Sequence, residues 1–282
     1  MAPCLLSVVV PTRNEAQNIV ACLESFLPML REGWGEVLVV DNASTDATAE
    51  LCRNFGTGVN ACERDLHIRV MGQGPERSAQ RNRGWREARG EYVFFVDADM
   101  RLPEATLREV REVLCRADAP DALYVREVRM GEGAWTKVRN FERGFYDATC
   151  IDGLRVIRRS VLEKVGGYDE TLHAAEDWDL DRRIFQVTER VALTEGALLH
   201  DERRLTLRKL LKKKAYYAES FARYQAKWNH DGIIRKQFGF VYRFFGVFFE
   251  KGKWRRVVRH PFLMAAVWAE KVCVGMVYLW KK

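Results

Sequence analysis

The chain has 282 residues, of which 48% are hydrophobic and 30% are charged, and its formal net charge is +7. This balance is typical of a folded globular protein and excludes intrinsic disorder as the dominant state. The length accommodates one large domain with an appendage, or two smaller domains. Because the first residues lack a basic segment ahead of the apolar ones, we expect no signal peptide.

Positive charge is concentrated late in the chain. Seven basic residues lie within 203–214, and a second basic cluster occupies 251–259. This concentration indicates a surface that faces phosphates, either of nucleic acid or of lipid. The seven cysteines are scattered without a C-x-x-C pair, which favours a reducing compartment over a disulfide framework or a zinc ribbon. Cys52 and Cys62 could close a small loop, although spacing alone does not position two sulfurs.

Apolar strands and amphipathic helices alternate in the first half of the chain. Strands are predicted at Leu5–Val10 and Glu36–Val40, more weakly at His67–Met71, and again in the run "EYVFFV". A helix is predicted within "NEAQNIVACLESFLPML" with Asn14 as its N-cap, and two more helices follow the second and third strands. This alternation implies right-handed crossovers, so we predict an α/β fold around a mostly parallel sheet.

Three of these strands end in polar or acidic residues. The residues that follow them, in chain order, are Arg13 and Glu15, then Asp41, then Asp97 and Asp99. Ligands of open α/β sheets bind beyond the carboxyl ends of the strands, so we predict a nucleotide site at this edge. The D-x-D pair faces one side of the chain, where Mg²⁺ or Mn²⁺ bridging a diphosphate would neutralise it. Taken alone, the pair also fits a surface turn with two solvated acids.

Five short motifs occur in a fixed order along the chain: "SVVVPTRNE", "VVDNASTD", "RNRG", "FVDADM" and "EDWDL". Together they resemble glycosyltransferase family 2, over about Leu5–His200. The resemblance implies the GT-A fold, in which helices flank a mostly parallel central sheet that binds a nucleotide sugar. We therefore expect a catalytic domain at 1–202 and a separate helical region at 203–282.

The resemblance also implies a set of donor-binding residues. In chain order these are Pro11, Arg13, Glu15, Asp41, Arg81, Asn82 and Asp97. Asp41 would contact the base and Asp97 would lie near the ribose, while Arg81 and Asn82 would approach the nucleotide or the sugar. Two alternatives stay open from the residues themselves. Asp41 is also a common helix cap, and Arg81 also fits a solvated helix face.

The expected cofactor is Mn²⁺ or Mg²⁺. By the resemblance, Asp99 is its main protein ligand, and His200, at the end of the run "GALLH", is a further ligand. A half-buried structural histidine fits His200 equally well. Hard carboxylate oxygens suit either cation.

The motif "EDWDL" carries the predicted catalytic base, Asp177. Displacement at an anomeric carbon needs a carboxylate near the acceptor hydroxyl, and one base opposite the leaving group predicts inversion. Glu176 and Trp178 are assigned to the acceptor side, although Trp178 could instead fill the core. Asp179 is expected to cap or position a helix. The competing interpretation is an acidic helix N-terminus stabilised by the helix dipole.

The last third of the chain predicts helices at a membrane. A basic, aromatic-rich helix is predicted over 204–228, and Arg235–Glu250 places its polar residues in one narrow sector of a helix. Pro261–Trp280 is long enough to span a bilayer but carries Glu270 and Lys271 at its centre. We favour an embedded C-terminus with a cytoplasmic catalytic domain over packing of these helices on that domain.

These observations lead to a functional expectation. By resemblance to polyprenyl-phosphate mannosyltransferases, we expect transfer of mannose from GDP-mannose to a lipid-linked acceptor, in glycan or glycolipid biosynthesis such as that of N-glycan precursors. A UDP-sugar is the alternative donor, and a homo-oligomer is left open. The likeness to cellulose-synthase-like enzymes is more remote, since the Q-x-x-R-W motif of processive synthases is absent. A basic membrane-binding or nucleic-acid-binding protein is the non-enzymatic alternative, but it does not explain the ordered motifs.

Overall fold

The computed structural model of the protein describes residues 4–57, 67–202 and 220–279. Within these ranges a single sheet contains eight strands. The strands are β1 (Leu6–Thr12), β2 (Gly35–Asp41), β3 (Ile68–Gly72), β4 (Tyr92–Phe95), β5 (Met100–Arg101), β6 (Ala122–Arg129), β7 (Val156–Arg158) and β8 (Val191–His200). The four strands predicted from the sequence correspond to β1, β2, β3 and β4.

The sheet is mixed, in the order β3-β2-β1-β4-β7-β6-β8-β5. The half made by β3, β2, β1 and β4 is parallel, as predicted. Strand β7 runs antiparallel to both β4 and β6, and β5 runs antiparallel to β8. Strand β7 has three residues and β5 has two. Both are too short to show the alternation of apolar and polar residues by which a strand is predicted.

Helices cover both faces of the sheet and form the C-terminal region. They are α1 (Ile19–Glu24), α2 (Leu27–Arg31), α3 (Thr48–Thr57), α4 (Arg77–Glu87), α5 (Glu104–Leu114), α6 (Ala134–Arg143), α7 (Arg159–Val165), α8 (Glu176–Phe185), α9 (220–227), α10 (Gly232–Phe238), α11 (Val247–Phe249), α12 (Trp254–Arg259) and α13 (Pro261–Leu279). The single long helix expected over 204–228 lies mostly outside the described residues, and α9 is its described part.

The first predicted helix is wrong in its start and its continuity. It is divided into α1 and α2, because a proline at position 28 favours a new helix start rather than a helix interior. Asn14 is not its cap, since α1 begins at Ile19. Instead Asn14 has a φ of 55°, and its side-chain oxygen accepts a hydrogen bond from the amide of Thr45 at 2.8 Å.

Close packing of α4 on β1 positions the functional edge of the sheet. Gly84 permits it, because a Cβ at this position would lie 2.3 Å from Cγ1 of the buried Val9. Gln80, one turn earlier, donates hydrogen bonds to the carbonyls of Thr12 and Val40, at 3.0 and 2.6 Å. The helix therefore presents Arg81 at the carboxyl ends of β1 and β2.

The C-terminal helices pack on the rest of the protein through an apolar cluster. Its buried members are Val138, Phe141, Phe145, Ile151, Val247, Phe248, Met264 and Val267. At the centre of α13, Lys271 Nζ lies 2.6 Å from Glu142 of α6. The ion pair supplies a partner for a charge that would be costly in lipid.

The continuous helix predicted over Arg235–Glu250 is broken. Gly239 ends α10 with an extended backbone, and a π-helix follows at Tyr242–Gly246 before α11. Within the described part of the chain, none of the helices is both long enough and apolar enough to cross a bilayer. The residues between 203 and 219, which carry the first basic cluster, lie outside the description.

Candidate active site

The carboxyl ends of β2, β1 and β4 lie side by side, and the loops that follow them are joined. Backbone amides of the loop after β1 donate to side chains that follow β2: Asn14 to Ser44 Oγ at 2.9 Å, in the loop, and Glu15 to Thr48 Oγ1 at 2.8 Å, at the start of α3. Burial raises the pKa of Glu15, and the carboxylates of Asp99, Asp46 and Asp97 raise it further. The predicted acidic residues therefore share one edge of the sheet.

Asp41 is held within its own loop. Its carboxylate accepts hydrogen bonds from the amide and the hydroxyl of Ser44. The amide of Thr48, the first residue of α3, is capped instead by Asp46, at 3.0 Å. Asp41 is therefore not the helix cap that the sequence left open, and its contact with a base stays a prediction.

Two of the predicted donor-binding residues lie at the end of β1, in different environments. Pro11 is buried within β1 and Arg13 is exposed beyond it. Between them the hydroxyl of Thr12 is buried and has no hydrogen-bond partner in the structure. An unsatisfied buried hydroxyl beside a ligand site is a polar group that a ligand or a water can satisfy.

Arg81 joins the donor-side and acceptor-side acids. Its guanidinium donates to Asp97 Oδ1 and to Asp177 Oδ1, at 2.9 Å in each case. It also lies 3.5 Å from Glu176 Oε1 and 5.1 Å from the centre of the Tyr168 ring. The side chain is 1% exposed, so the solvated helix-face interpretation is wrong. Burial opposes ionisation of Asp97, but the surrounding arginines and His200 hold the pKa of its carboxyl well below its usual value.

A second arginine, whose side chain is 15% exposed, extends this network towards the predicted metal ligands. Arg155 lies 3.8 Å from Asp97 Oδ2 and 3.3 Å from Glu127 Oε2. Glu127 in turn lies 2.9 Å from Nδ1 of His200, whose Nε2 is 3.3 Å from Asp99 Oδ2. Burial disfavours the charged imidazole, but the hydrogen bonds with Asp99 and Glu127 raise the pKa of His200 to about 10.

Asp99 and His200 are therefore brought together as the sequence predicted, although they are 101 residues apart. The Asp99 carboxylate and the His200 imidazole are the groups that would hold Mg²⁺ or Mn²⁺ here. The described residues contain no group of three or more metal-ligating side chains. Two protein ligands suit a Mg²⁺ or Mn²⁺ ion that takes its remaining oxygens from a diphosphate and water. Glu127, on Nδ1, is placed to orient the imidazole.

Asp177 is in the first turn of α8, at the edge of this network. Ala175, immediately before the helix, has a left-handed backbone with φ 60°, a strained conformation for alanine. Gly153 faces Asp177 so closely that a Cβ there would lie 3.2 Å from the Asp177 Cβ. The Asp177 side chain is 34% exposed, which leaves one side of the carboxylate accessible to an acceptor hydroxyl.

The neighbours of Asp177 in the motif "EDWDL" lie in other environments. Glu176 is buried beside Arg77 and Arg81, and burial raises its pKa. Trp178 stacks on Phe221 of α9, with ring centroids 6.1 Å apart, so it contributes to packing as well as lining a cleft. Asp179 is fully buried and accepts from Trp228 at 2.9 Å, which fastens α8 to the C-terminal helices.

Asn82 is not placed at the open edge with the other predicted donor residues. Its amide group donates to the Tyr168 carbonyl and to Glu170, and its oxygen accepts from Trp85 and from the Tyr168 amide. The side chain thus secures the loop that follows Gly166 and Gly167, both of which have positive φ, as expected of a turn. Its contact with a donor stays a prediction.

The architecture and the edge are those of a GT-A nucleotide-sugar-binding protein. Residues 7–166, more than half of the chain, match the model of glycosyl transferase family 2, and residues 132–240 match that of glycosyltransferase-like family 2. The chain belongs to glycosyl transferase family 2, which confirms the resemblance drawn from the five motifs.

Curated relatives and solved structures agree with this membership. A PGL/p-HBAD biosynthesis glycosyltransferase of Mycobacterium tuberculosis is 29% identical over 189 residues, which cover 66% of this chain and 71% of that protein. The mannosyltransferase PcManGT from Pyrobaculum calidifontis, solved with GDP-Man and Mn²⁺, has a TM-score of 0.61 and 22% identity, covering 96% of this chain and 80% of its own. S. aureus TarS 1-349 has a TM-score of 0.55 and 22% identity over 70% of this chain, which spans 60% of TarS 1-349. At these identities the solved structures establish the fold.

Proposed function

We propose that the protein transfers a sugar from a nucleotide-diphosphate donor to an acceptor hydroxyl, with Asp177 as the base and with inversion at the anomeric carbon. The observation that carries this proposal is the pair of hydrogen bonds, called here the Arg81 fork, by which the Arg81 guanidinium holds Asp97 and Asp177 at 2.9 Å each. A donor bound along the strand ends would place its anomeric carbon between the D-x-D pair and Asp177. The protein then contributes mainly by positioning the reacting groups.

Asp99 and His200 would hold a divalent cation, which supplies positive charge to the departing diphosphate when it is bound. His200 would bind the cation as the neutral imidazole and would release its Nε2 proton to solvent. Arg155 and Arg81 keep Asp97 ionised beside them. Asp177 would accept the proton of the acceptor hydroxyl as that oxygen bonds to the anomeric carbon. The accessible side of its carboxylate and the space left by Gly153 support this assignment.

GDP-mannose is the donor that we place first, and a UDP-sugar is the second candidate. One fold relative was solved with GDP-Man and Mn²⁺, and another, TarS, was solved with UDP and with UDP-GlcNAc. Asp41, the residue that we propose for contact with the base, does not distinguish between the two nucleotides.

We further propose that the acceptor is presented at the cytoplasmic surface of a membrane and is lipid-linked. Exposed apolar side chains are frequent in the segment 240–262, among them Val241 at 73% and Phe262 at 90% exposure. Exposed basic residues, Lys251, Arg255 and Arg259, lie in the same segment. Aromatic and aliphatic groups beside basic ones suit a segment lying in the headgroup region of anionic lipid. Sedimentation with anionic and neutral vesicles tests this, and equal binding of wild type and Phe262→Ser would contradict it.

The activity is tested with a panel of nucleotide sugars and Mn²⁺ or Mg²⁺, read by nucleotide release. Asp99→Ala should lose metal-dependent donor binding, whereas Asp177→Asn should keep binding and lose transfer. The exposed Asp118, in the loop after α5, offers a matched control, since Asp118→Asn removes a carboxylate far from the edge. Undiminished transfer by Asp177→Asn would overturn the assignment of the base.

A further inference from the structure

A cleft of about 420 Å³ lies beside α8, and none of the predicted donor-binding or metal-binding residues line it. Four large apolar side chains form much of its wall: Trp178, Phe185, Trp228 and Ile233. The volume falls in the range of about 300–1,000 Å³ that is usual for small-molecule sites. Phe185 and Ile233 are 46% and 40% exposed, so the cleft is open to a ligand from solution.

The cleft adjoins the predicted base. Asp181 lines it and is four residues after Asp177, so the two residues lie on the same face of α8 with their Cβ atoms about 5–6 Å apart. The segment before β7 follows this face: Gly153 contacts Asp177, and the amide of Leu154 donates to Asp181 at 3.1 Å. Thr149, upstream in that segment, lines the cleft. A ligand in the cleft would therefore end about one helical turn from Asp177.

The two charged side chains of the cleft, Asp181 and Arg182, are already paired within the protein. Asp181 Oδ2 is 3.0 Å from the hydroxyl of Tyr124, and burial raises the pKa of the Asp181 carboxyl well above its usual value. Arg182 is paired with Asp231 and lies 3.8 Å from the centre of the Trp228 ring. Because the cation is already neutralised, a phosphate or carboxylate ligand gains little here. The cleft favours an uncharged, apolar ligand.

We infer that this cleft binds the aglycone of the acceptor, an uncharged aromatic ring attached to the hydroxyl or sugar that is glycosylated. The inference rests on the proposed function. Two indoles and a phenyl ring offer faces and edges for offset or edge-to-face contact with such a ring. With the ring in the cleft, the acceptor hydroxyl lies at Asp177. The acceptor oxygen bonds to the anomeric carbon, the bond from that carbon to the diphosphate oxygen breaks, and Asp177 takes the hydroxyl proton.

The inference is tested by binding 2-naphthol to the full-length protein, followed by quenching of tryptophan fluorescence and by saturation-transfer NMR. We expect saturable binding by wild type, weakened about tenfold or more in Ile233→Asp, because a charge replaces part of the apolar wall. Phe185→Asp is a second variant at an equally open position. Val187→Asp is the matched control, since Val187 is 46% exposed and lies outside the residues that line the cleft.

The same proteins separate this inference from the proposed function. Nucleotide release with water as the acceptor measures donor turnover and should be unchanged in the control Val187→Asp. In Ile233→Asp, KM for naphthyl glycosides should rise more than KM for methyl glycosides. Donor turnover together with 2-naphthol binding that is equal in wild type, Ile233→Asp and Val187→Asp would overturn the cleft and keep the proposed function. Binding of 2-naphthol that depends on Ile233, in a protein that turns over no nucleotide sugar, would keep the cleft as a binding site and overturn the proposed function. Preference for octyl over naphthyl glycosides would also overturn the aromatic assignment.

Discussion

Replacement of Arg81 by lysine tests whether the guanidinium fork organises the site. Arg81 makes two hydrogen bonds of 2.9 Å to carboxylates, and hydrogen bonds to charged groups contribute about 1.5–3 kcal/mol each. A lysine ammonium at the same place can keep one of these bonds, because its single nitrogen cannot reach both acids. Asp177 is 34% exposed, so its bond belongs at the weak end of that range. We therefore expect Arg81→Lys to lower the free energy of unfolding by about 1.5 kcal/mol.

The loss is measured by urea unfolding, with Arg83→Lys as the control on the same helix. Arg83 is 50% exposed and pairs with Glu87 at the surface, so its replacement should change stability by less than about 0.5 kcal/mol. Combining Arg81→Lys with Asp177→Asn should cost less than the sum of the two single changes, because both remove the same bond. An Arg81→Lys protein within about 0.5 kcal/mol of wild type would refute the organising role of the fork.

Three further changes test the packing and electrostatics around the site. Gly84→Ala should destabilise the protein by about 1–3 kcal/mol in urea, because its methyl group would overlap Val9. Asp181→Asn should gain stability relative to wild type as pH rises above about 4, because the raised pKa of the buried Asp181 makes the folded state hold a proton that the unfolded chain releases. Lys271→Met should destabilise the docked α13 by about 2–3 kcal/mol, measured by hydrogen exchange, because Glu142 loses a partner at 2.6 Å.

Each of these changes has a control and a contradicting result. Gly232→Ala is the control for Gly84, since no atom lies within 4 Å of a Cβ at Gly232, and equal effects of the two would contradict the packing argument. A pH-independent difference between Asp181→Asn and wild type would show that the carboxyl is not held protonated. Adding Glu142→Gln to Lys271→Met should recover most of the lost stability, and no recovery would mean that the ion pair does not dock α13.

The edge of the sheet was predictable because β2, β1 and β4 are parallel, so that the residues after each strand reach the same side. Asp41, Asp97 and Asp99 follow from that rule alone. His200 followed only from the family resemblance, and the structure places its Nε2 3.3 Å from Asp99. The order of the five motifs identified the family, whereas no single motif was specific enough to do so.

Arg155 and Glu127 were not predicted because their roles depend on contacts distant in sequence. They lie before the short β7 and within β6. The bond between them joins residues 28 apart, and that from Glu127 to His200 joins residues 73 apart. A buried arginine has no local pattern that distinguishes it from a solvated one. Asn82 shows the same limit, since its place in "RNRG" does not reveal that its amide secures the loop at Tyr168. The break at Gly239 did carry a signal, because glycine inside a helical pattern marks a helix end.

The most direct test of the site is the binding of GDP and of UDP to the full-length protein by titration calorimetry, with and without Mn²⁺. We expect metal-dependent binding of at least one nucleotide by wild type and by Asp177→Asn, and its loss in Asp99→Ala. Metal-dependent binding of equal strength in Asp99→Ala would contradict a cation held at the D-x-D pair beside the base.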